Sequence, residues 1–109
     1  MKTQNKVQLI GYLGHDPEVV TTLAGATLAR MRIATSEFFK DASGNGQKFT
    51  TWHNIKVWDK LASTVSGNFI KGSHVLVEGR ISYRTYEDQT GHLRYVTEIR
   101  ASALLNLDR

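Results

Sequence analysis

Polar and apolar residues alternate from Asn54 to Val57, at the centre of the run from Trp52 to Trp58. Successive side chains of a strand point to opposite faces of its sheet, so this alternation predicts a strand. Ile55 and Val57 then share the face that packs on the core, with His53 at the end of their row. The opposite face carries both tryptophans of the chain with a lysine between them.

The composition of that second face indicates nucleic acid. A packed core would exclude Lys56, and a solvated face would seldom expose two indole rings. Aromatic rings stack on bases while cations contact phosphates, so a nucleic-acid surface accommodates both residue types. The alternative is that a neighbouring loop or subunit covers one of the tryptophans.

The rest of the chain shows four more strand patterns and one short helix. Asp59 is predicted to cap the helix, in which Leu61, Val65 and Phe69 form one buried stripe. Residues 18–25 are expected to form a connecting loop. In the last strand the core face is expected to carry Tyr95, Thr97, Ile99 and Ala101. The five strands are predicted at about residues 5–14, 26–38, 48–58, 74–86 and 92–104.

Three strands, a short helix and a β-hairpin follow one another in the order of the OB-fold. The prediction is therefore an all-β, five-stranded Greek-key barrel with the helix between the third and fourth strands. An SH3-like barrel also has about five strands but lacks such a helix. We expect a single domain over residues 1–109, with its core at about 5–104.

Composition narrows the possible functions. The chain has 109 residues and no cysteine, which excludes disulfides, thiolate metal sites and cysteine nucleophiles. No apolar run approaches the roughly 20 residues that span a bilayer, so no membrane association is expected. The net charge of +4 favours an anionic partner only weakly.

The candidate binding residues project from the middle strands and the two hairpins. Stacking is predicted on Phe39, Trp52, Trp58 and Tyr86, and phosphate contacts on Arg30, Arg32, Lys40, Lys48, Lys56, Arg80 and Arg84. A duplex hides its base faces in the stack, so exposed aromatic rings select single strands. No helix suited to reading a groove is predicted, and the expected mode is sequence-tolerant single-strand binding.

Two other classes of function fit the sequence less well. The four histidines and the acidic residues Asp16, Asp59 and Asp88 follow no metal-ligand spacing, so no catalytic residue, metal or other cofactor is predicted. A protein-interaction module could also expose aromatic residues. Lysine is depleted at the core of protein interfaces, and Lys56 between the tryptophans argues against that alternative.

The chain resembles the bacterial single-stranded DNA-binding proteins over about residues 5–104. The matching runs are NKVQLIGYLGHDPE (5–18), ATSE (34–37), WHNIKVWDKLA (52–62), KGSHVLVEGRI (71–81) and YEDQTGHLRYVTEI (86–99). The resemblance places the family's stacking aromatics at the four positions predicted above. Phe39 and Tyr86 stand where tryptophan is common, and Trp58 where phenylalanine is common, so each site keeps a π-face.

The resemblance also implies a biological setting. It implies a homotetramer, with His53 at a subunit contact, that wraps single-stranded DNA in replication, recombination and repair. The implied location is the bacterial cytoplasm, in association with the nucleoid. A primosomal OB protein is the alternative, which would keep single-strand binding but change the biological role.

The chain ends at Arg109 without the flexible linker and acidic tail that the family usually carries. The expectation is either a trimmed chain or a short homologue. Partners that bind through such a tail are not expected for the chain as it stands.

Overall fold

The computed structural model describes residues 2–108, and within them it contains six strands and one helix. Met1 and Arg109, the two ends of the predicted domain, lie outside the described residues. The elements are β1 (Val7–Leu13), β2 (Glu18–Thr21), β3 (Thr27–Lys40), β4 (Gly46–Trp58), α1 (Asp59–Ser63), β5 (His74–Glu87) and β6 (Leu93–Asn106).

Five of the strands close into a ring. β1 pairs with β5, β5 with β6, β6 with β4, β4 with β3, and β3 returns to β1. The β4–β6 pairing is parallel and the other four are antiparallel. With α1 between the third and fourth barrel strands, this ring confirms the predicted OB-fold.

The segment expected to be a loop at residues 18–25 contains β2, so that prediction is wrong. β2 pairs along the edge of β3, outside the ring. A tight turn brings it there: the Thr22 amide donates to the Ala26 carbonyl at 2.8 Å, and Gly25 adopts φ +87°. Val19 and Val20 of β2 are β-branched, and β-branched residues favour the strand conformation.

The helix is shorter than predicted, and its predicted cap is wrong. The cap position is Trp58, without a side-chain cap among the described residues, and Asp59 has a φ of +57°. Val65 and Phe69 are buried as predicted but lie beyond α1, in turns that include Gly67 at φ +86°. The apolar spacing therefore identified the buried residues correctly, while the backbone that carries them is irregular.

The core is formed by the inward rows of the barrel strands. Ile55 and Val57 of β4 are fully buried, as predicted, against Met31, Ile33 and Val77 from neighbouring strands. The packing is tight at the backbone as well, because two strand glycines lie directly against the carbonyls of paired strands.

Two pairs of strands continue past the barrel as exposed ribbons. The β3–β4 arm comprises residues 36–40 and 46–51, and the β5–β6 arm comprises residues 82–87 and 93–97. Tyr95 and Thr97 belong to the second arm and are exposed, so their prediction as core residues is wrong. Ile99, at the base of the arm, is buried as predicted.

Candidate nucleic-acid interface

A row of four cations crosses the outer face of the barrel. Arg30 of β3 lies opposite Lys56 of β4, Lys56 opposite Arg100 of β6, and Arg100 opposite Arg80 of β5. Paired strands are about 4.8 Å apart, so the four side chains form one band of positive charge across the sheet. We call these four residues the cation row. Such a band suits a polyanion.

Both tryptophans lie on this same face. The ring of Trp52 is stacked by the Arg32 guanidinium, with Cζ 5.1 Å from the ring centroid, and 47% of the residue is exposed. The half-buried Trp58 has the Cζ of Arg100 at 5.7 Å from its ring. Each indole is thus paired with a cation, which orients the ring and places positive charge beside it.

Gly14 sets the position of the Trp52 ring. A Cβ atom at Gly14 would lie 2.4 Å from the indole, so only glycine leaves room for the ring there. The Gly14 amide also donates to the Arg32 carbonyl at 3.0 Å, which holds the β1 end against β3. The indole therefore packs on a backbone surface and presents its remaining area to solvent.

Tyr86 extends the outer face along the β5–β6 arm. It is 45% exposed, and the Cζ of Arg84 lies 5.9 Å from its ring centroid. The adjoining turn is organised by Asp88, whose pKa is lowered to about 2 by hydrogen bonds from the Thr90 hydroxyl, Arg94 and the His92 amide. An ionised Asp88 thus orders the end of the arm.

A buried carboxylate lies between the cation row and the β5–β6 arm. Glu98 is only 8% exposed, and its two oxygens bind the Lys56 Nζ and the Arg84 Nε, each at 3.0 Å. Burial raises the pKa of Glu98, but hydrogen bonds and charge from Lys56 and Arg84 outweigh it, so the pKa lies below its usual range. Lys56 and Arg84, both predicted phosphate contacts, are therefore ion-paired to one buried carboxylate.

Glu98→Gln is expected to lower the stability of the protein at neutral pH, and the loss is expected to vanish in acid. A lowered pKa in the folded state means that the ionised carboxylate stabilises the fold. This contribution is complete above the usual glutamate pKa of about 4.3 and disappears as the pH falls through the lowered value. Urea unfolding of both proteins at neutral and acidic pH measures the difference.

Glu37→Gln, at an exposed site on the β3–β4 arm, is the matched control and should change stability little at either pH. A difference between wild type and Glu98→Gln that stays constant into acid would contradict the role assigned to the Glu98 carboxylate.

The remaining predicted cations lie on the face of Trp52, whereas Phe39 does not. Arg30 also makes an exposed ion pair of 3.4 Å with Glu18. Lys40 and Lys48 are exposed on the β3–β4 arm, on the face of Trp52. Phe39 is exposed but lies on the opposite face, because neighbouring strand residues alternate and its partner in the register is Gln47. Its predicted stacking role stays a prediction.

His53 lies on the inner side of β4, as the alternation predicted. Its Nε2 is 2.9 Å from the Thr35 hydroxyl, and burial lowers the pKa of the imidazole. A subunit contact at this histidine stays a prediction.

The sequence reasoning missed three residues of the outer face: Phe38, Glu98 and Arg100. Alternation in the last strand already separated Glu98 and Arg100 from the core-facing Ile99, which was a usable signal. Their meeting with Lys56 depends on the parallel β4–β6 pairing, which has no local signature in the sequence.

Within residues 2–108 no group of three or more histidine, aspartate or glutamate side chains is arranged to hold a metal ion. Nor does the described part of the chain include a helix that is long and apolar enough to cross a membrane.

A closed OB barrel whose outer face combines exposed aromatic rings with a band of cations defines an OB-fold protein with a nucleic-acid-binding type of surface. Residues 4–107 match the model of the single-strand binding protein family, and the chain belongs to that family.

Individual relatives agree with this membership. The "Single-stranded DNA-binding protein 1" of Chlorobaculum tepidum is 49% identical over 96 residues, which cover 87% of this chain and 59% of the relative. The "Single-stranded DNA-binding protein" of Xylella fastidiosa is 41% identical over 100 residues, covering 92% and 61%. The chain thus spans about three-fifths of the length of these curated relatives.

Solved structures share the fold. The "Plasmodium falciparum SSB complex with ssDNA" matches with a TM-score of 0.88 at 30% identity, covering 99% of this chain and 98% of the other. A deletion mutant of the single-stranded DNA binding protein from Thermus aquaticus matches with a TM-score of 0.82 at 27% identity, covering 95% and 50%.

Proposed function

We propose that the chain binds single-stranded DNA with little sequence preference and protects it in replication, recombination and repair. The observation that carries the proposal is the outer face of β4, where the chain's two tryptophans flank Lys56 of the cation row. Membership of the single-strand binding protein family and the similarity to a solved SSB–ssDNA complex support it.

Binding combines two physical contributions. Bases stack on Trp52, Trp58 and Tyr86, and each stacked base contributes about 1–3 kcal/mol regardless of its identity. Phosphates contact the predicted cations and Arg100, and the release of counterions makes the affinity depend on salt. Lys56 and Arg84 reach a phosphate only by sharing or leaving the Glu98 carboxylate, so the other cations engage the DNA more readily. Neither a cofactor nor a catalytic step is part of the proposal.

The proposal includes a homotetramer that acts in the bacterial cytoplasm in association with the nucleoid. An apolar surface supports self-association: the exposed Ile10 and Leu105 flank the partly buried Leu76 on the outward face of β1, β5 and β6. The ring of Tyr12 stacks on His74 beside them, with centroids 4.6 Å apart. Contiguous exposed apolar surface of this kind marks interaction sites. His53 is proposed as a second subunit contact.

Competition binding tests the function. A fluorescently labelled oligo-dT is bound to the protein, and unlabelled oligo-dT or a duplex of equal length is added at low and at moderate salt. The proposal predicts that the single strand displaces the probe, that the duplex does so poorly, and that affinity falls as salt rises. Equal competition by the duplex, or no binding of oligo-dT at low salt, would contradict it.

A further inference from the structure

The outer face continues from Trp52 along the β3–β4 arm. The register runs from the Leu28–Trp58 pair to the Lys40–Gly46 pair, with no shift recorded among these described residues. Side-chain contacts on the outer face follow this register. The Ser36 and Thr50 hydroxyls are 3.3 Å apart, and the Lys48 Nζ lies 6.0 Å from the ring centroid of Phe38.

The opposite face of the arm is equally well defined. It begins at the hydrogen bond between Thr35 and His53, on the inner side of the barrel. Further out it carries Phe39 opposite Gln47, and Phe49 opposite Glu37. The two neighbouring phenylalanines of β3 therefore point to different faces, and Phe38 is the one that shares a face with Trp52.

Phe38 is unusually exposed for an aromatic residue in a strand, at 77% of its surface. Its neighbours on the same face are Lys40 and Lys48, at the end of the arm. A protein partner would meet two lysines beside the ring, and interfaces are depleted of lysine at their core. A nucleotide offers a base to the ring and a phosphate to the lysines, which matches all three side chains.

We propose that Phe38 is a base-stacking residue that extends the single-stranded DNA track from Trp52 out along the β3–β4 arm. This inference rests on the proposed function. Four residues of strand separate Trp52 from Lys48, the partner of Phe38, which corresponds to roughly 13 Å. Lys40 and Lys48 bind the phosphate backbone of the DNA beside the Phe38 ring.

The shape of the arm suits such a ligand. A groove of about 620 Å³ at its end is lined by Phe38, Lys40 and Lys48, and also by Phe39, Gly46 and Gln47. The groove reaches around the edge of the ribbon, so Phe39 needs to be tested separately from Phe38.

The test compares Phe38→Ala with two matched variants on the opposite face, Phe39→Ala and Phe49→Ala. All three rings are exposed in the same arm, so none of the variants is expected to unfold the protein. Far-UV circular dichroism and sedimentation establish fold and oligomeric state. Affinities are then measured for oligo-dT of increasing length.

Phe38→Ala is expected to weaken binding of long oligo-dT about five-fold or more, which corresponds to the lower limit for one stacked base. Strands too short to reach from Trp52 to the arm should bind as they do to the wild type. Phe49→Ala should bind like the wild type at every length, and Phe39→Ala should lose less than Phe38→Ala.

Several results would overturn the inference. Unchanged binding by Phe38→Ala, a larger loss in Phe39→Ala or Phe49→Ala, or an altered oligomeric state without loss of affinity would each do so. The last of these would assign Phe38 to a protein contact. A wild-type protein that fails to bind oligo-dT of any length would instead contradict the proposed function itself.

Discussion

Trp52→Ala is expected to weaken binding of oligo-dT by about 1–3 kcal/mol, the contribution of one stacked base. The ring stands at the centre of the outer face, positioned by Gly14 beneath it and by the Arg32 guanidinium beside it. Removing the indole takes away the π-face and leaves Arg32 without the ring on which it stacks. The affinity for oligo-dT, measured at fixed salt, gives the loss.

Two controls separate stacking from other causes. Trp52→Phe keeps an aromatic ring and should retain most of the binding. Tyr95→Ala removes a ring that is more exposed than Trp52 from the opposite face of the β5–β6 arm, and it should leave the intrinsic affinity unchanged. Because Trp52 is about half exposed, its loss should shift the unfolding midpoint only slightly. Unchanged affinity in a folded Trp52→Ala would remove this residue from the binding surface.

Gly79→Ala is expected to destabilise the protein by about 3 kcal/mol or more, at the upper end of the cost of overpacking. The added Cβ would lie 2.2 Å from the carbonyl oxygen of Arg100 and 3.0 Å from the Cα of Ala101. These are backbone atoms of the paired strand, so no side-chain rotation relieves the contact. Gly79 also lies where the β5–β6 register shifts.

Urea unfolding measures this effect, with Gly46→Ala as the matched control. A Cβ at Gly46 would have no described atom within 4 Å, and Gly46 does not have a positive φ, so its replacement should change stability little. Equal unfolding midpoints for the wild type and Gly79→Ala would show that β5 and β6 separate easily at the register shift, contrary to the packing described.

The outer face could be predicted from sequence because strand periodicity is simple. Alternation around Lys56 assigned residues 52–58 of β4 to its two faces, and neither tryptophan was misplaced. When two similar residues are adjacent, alternation alone does not show which of them lies on the outer face. The pairing register with the neighbouring strand is then needed as well. Phe38 and Phe39 are chemically alike, and only pairing with Lys48 and Gln47 shows which of them shares a face with Trp52.

Other features depend on contacts that leave no local pattern. The i, i+4 spacing of Leu61, Val65 and Phe69 is equally compatible with a helix and with turns that bury the same side chains, and α1 ends at Ser63, before Val65. Glu98 looks like an ordinary surface residue in the sequence. It becomes the counter-ion of Lys56 only because β4 and β6 pair in parallel.

Tryptophan fluorescence tests the central claim, that bases stack on the outer face of β4, most directly. Trp52 and Trp58 are the chain's two tryptophans, so the whole tryptophan signal comes from this face. The protein is titrated with oligo-dT and, separately, with an abasic strand of equal length and charge. Stacking predicts strong quenching by oligo-dT and little by the abasic strand, although both bind the cations. Equal quenching by the two strands, or none by oligo-dT under conditions where it binds, would contradict stacking on Trp52 and Trp58.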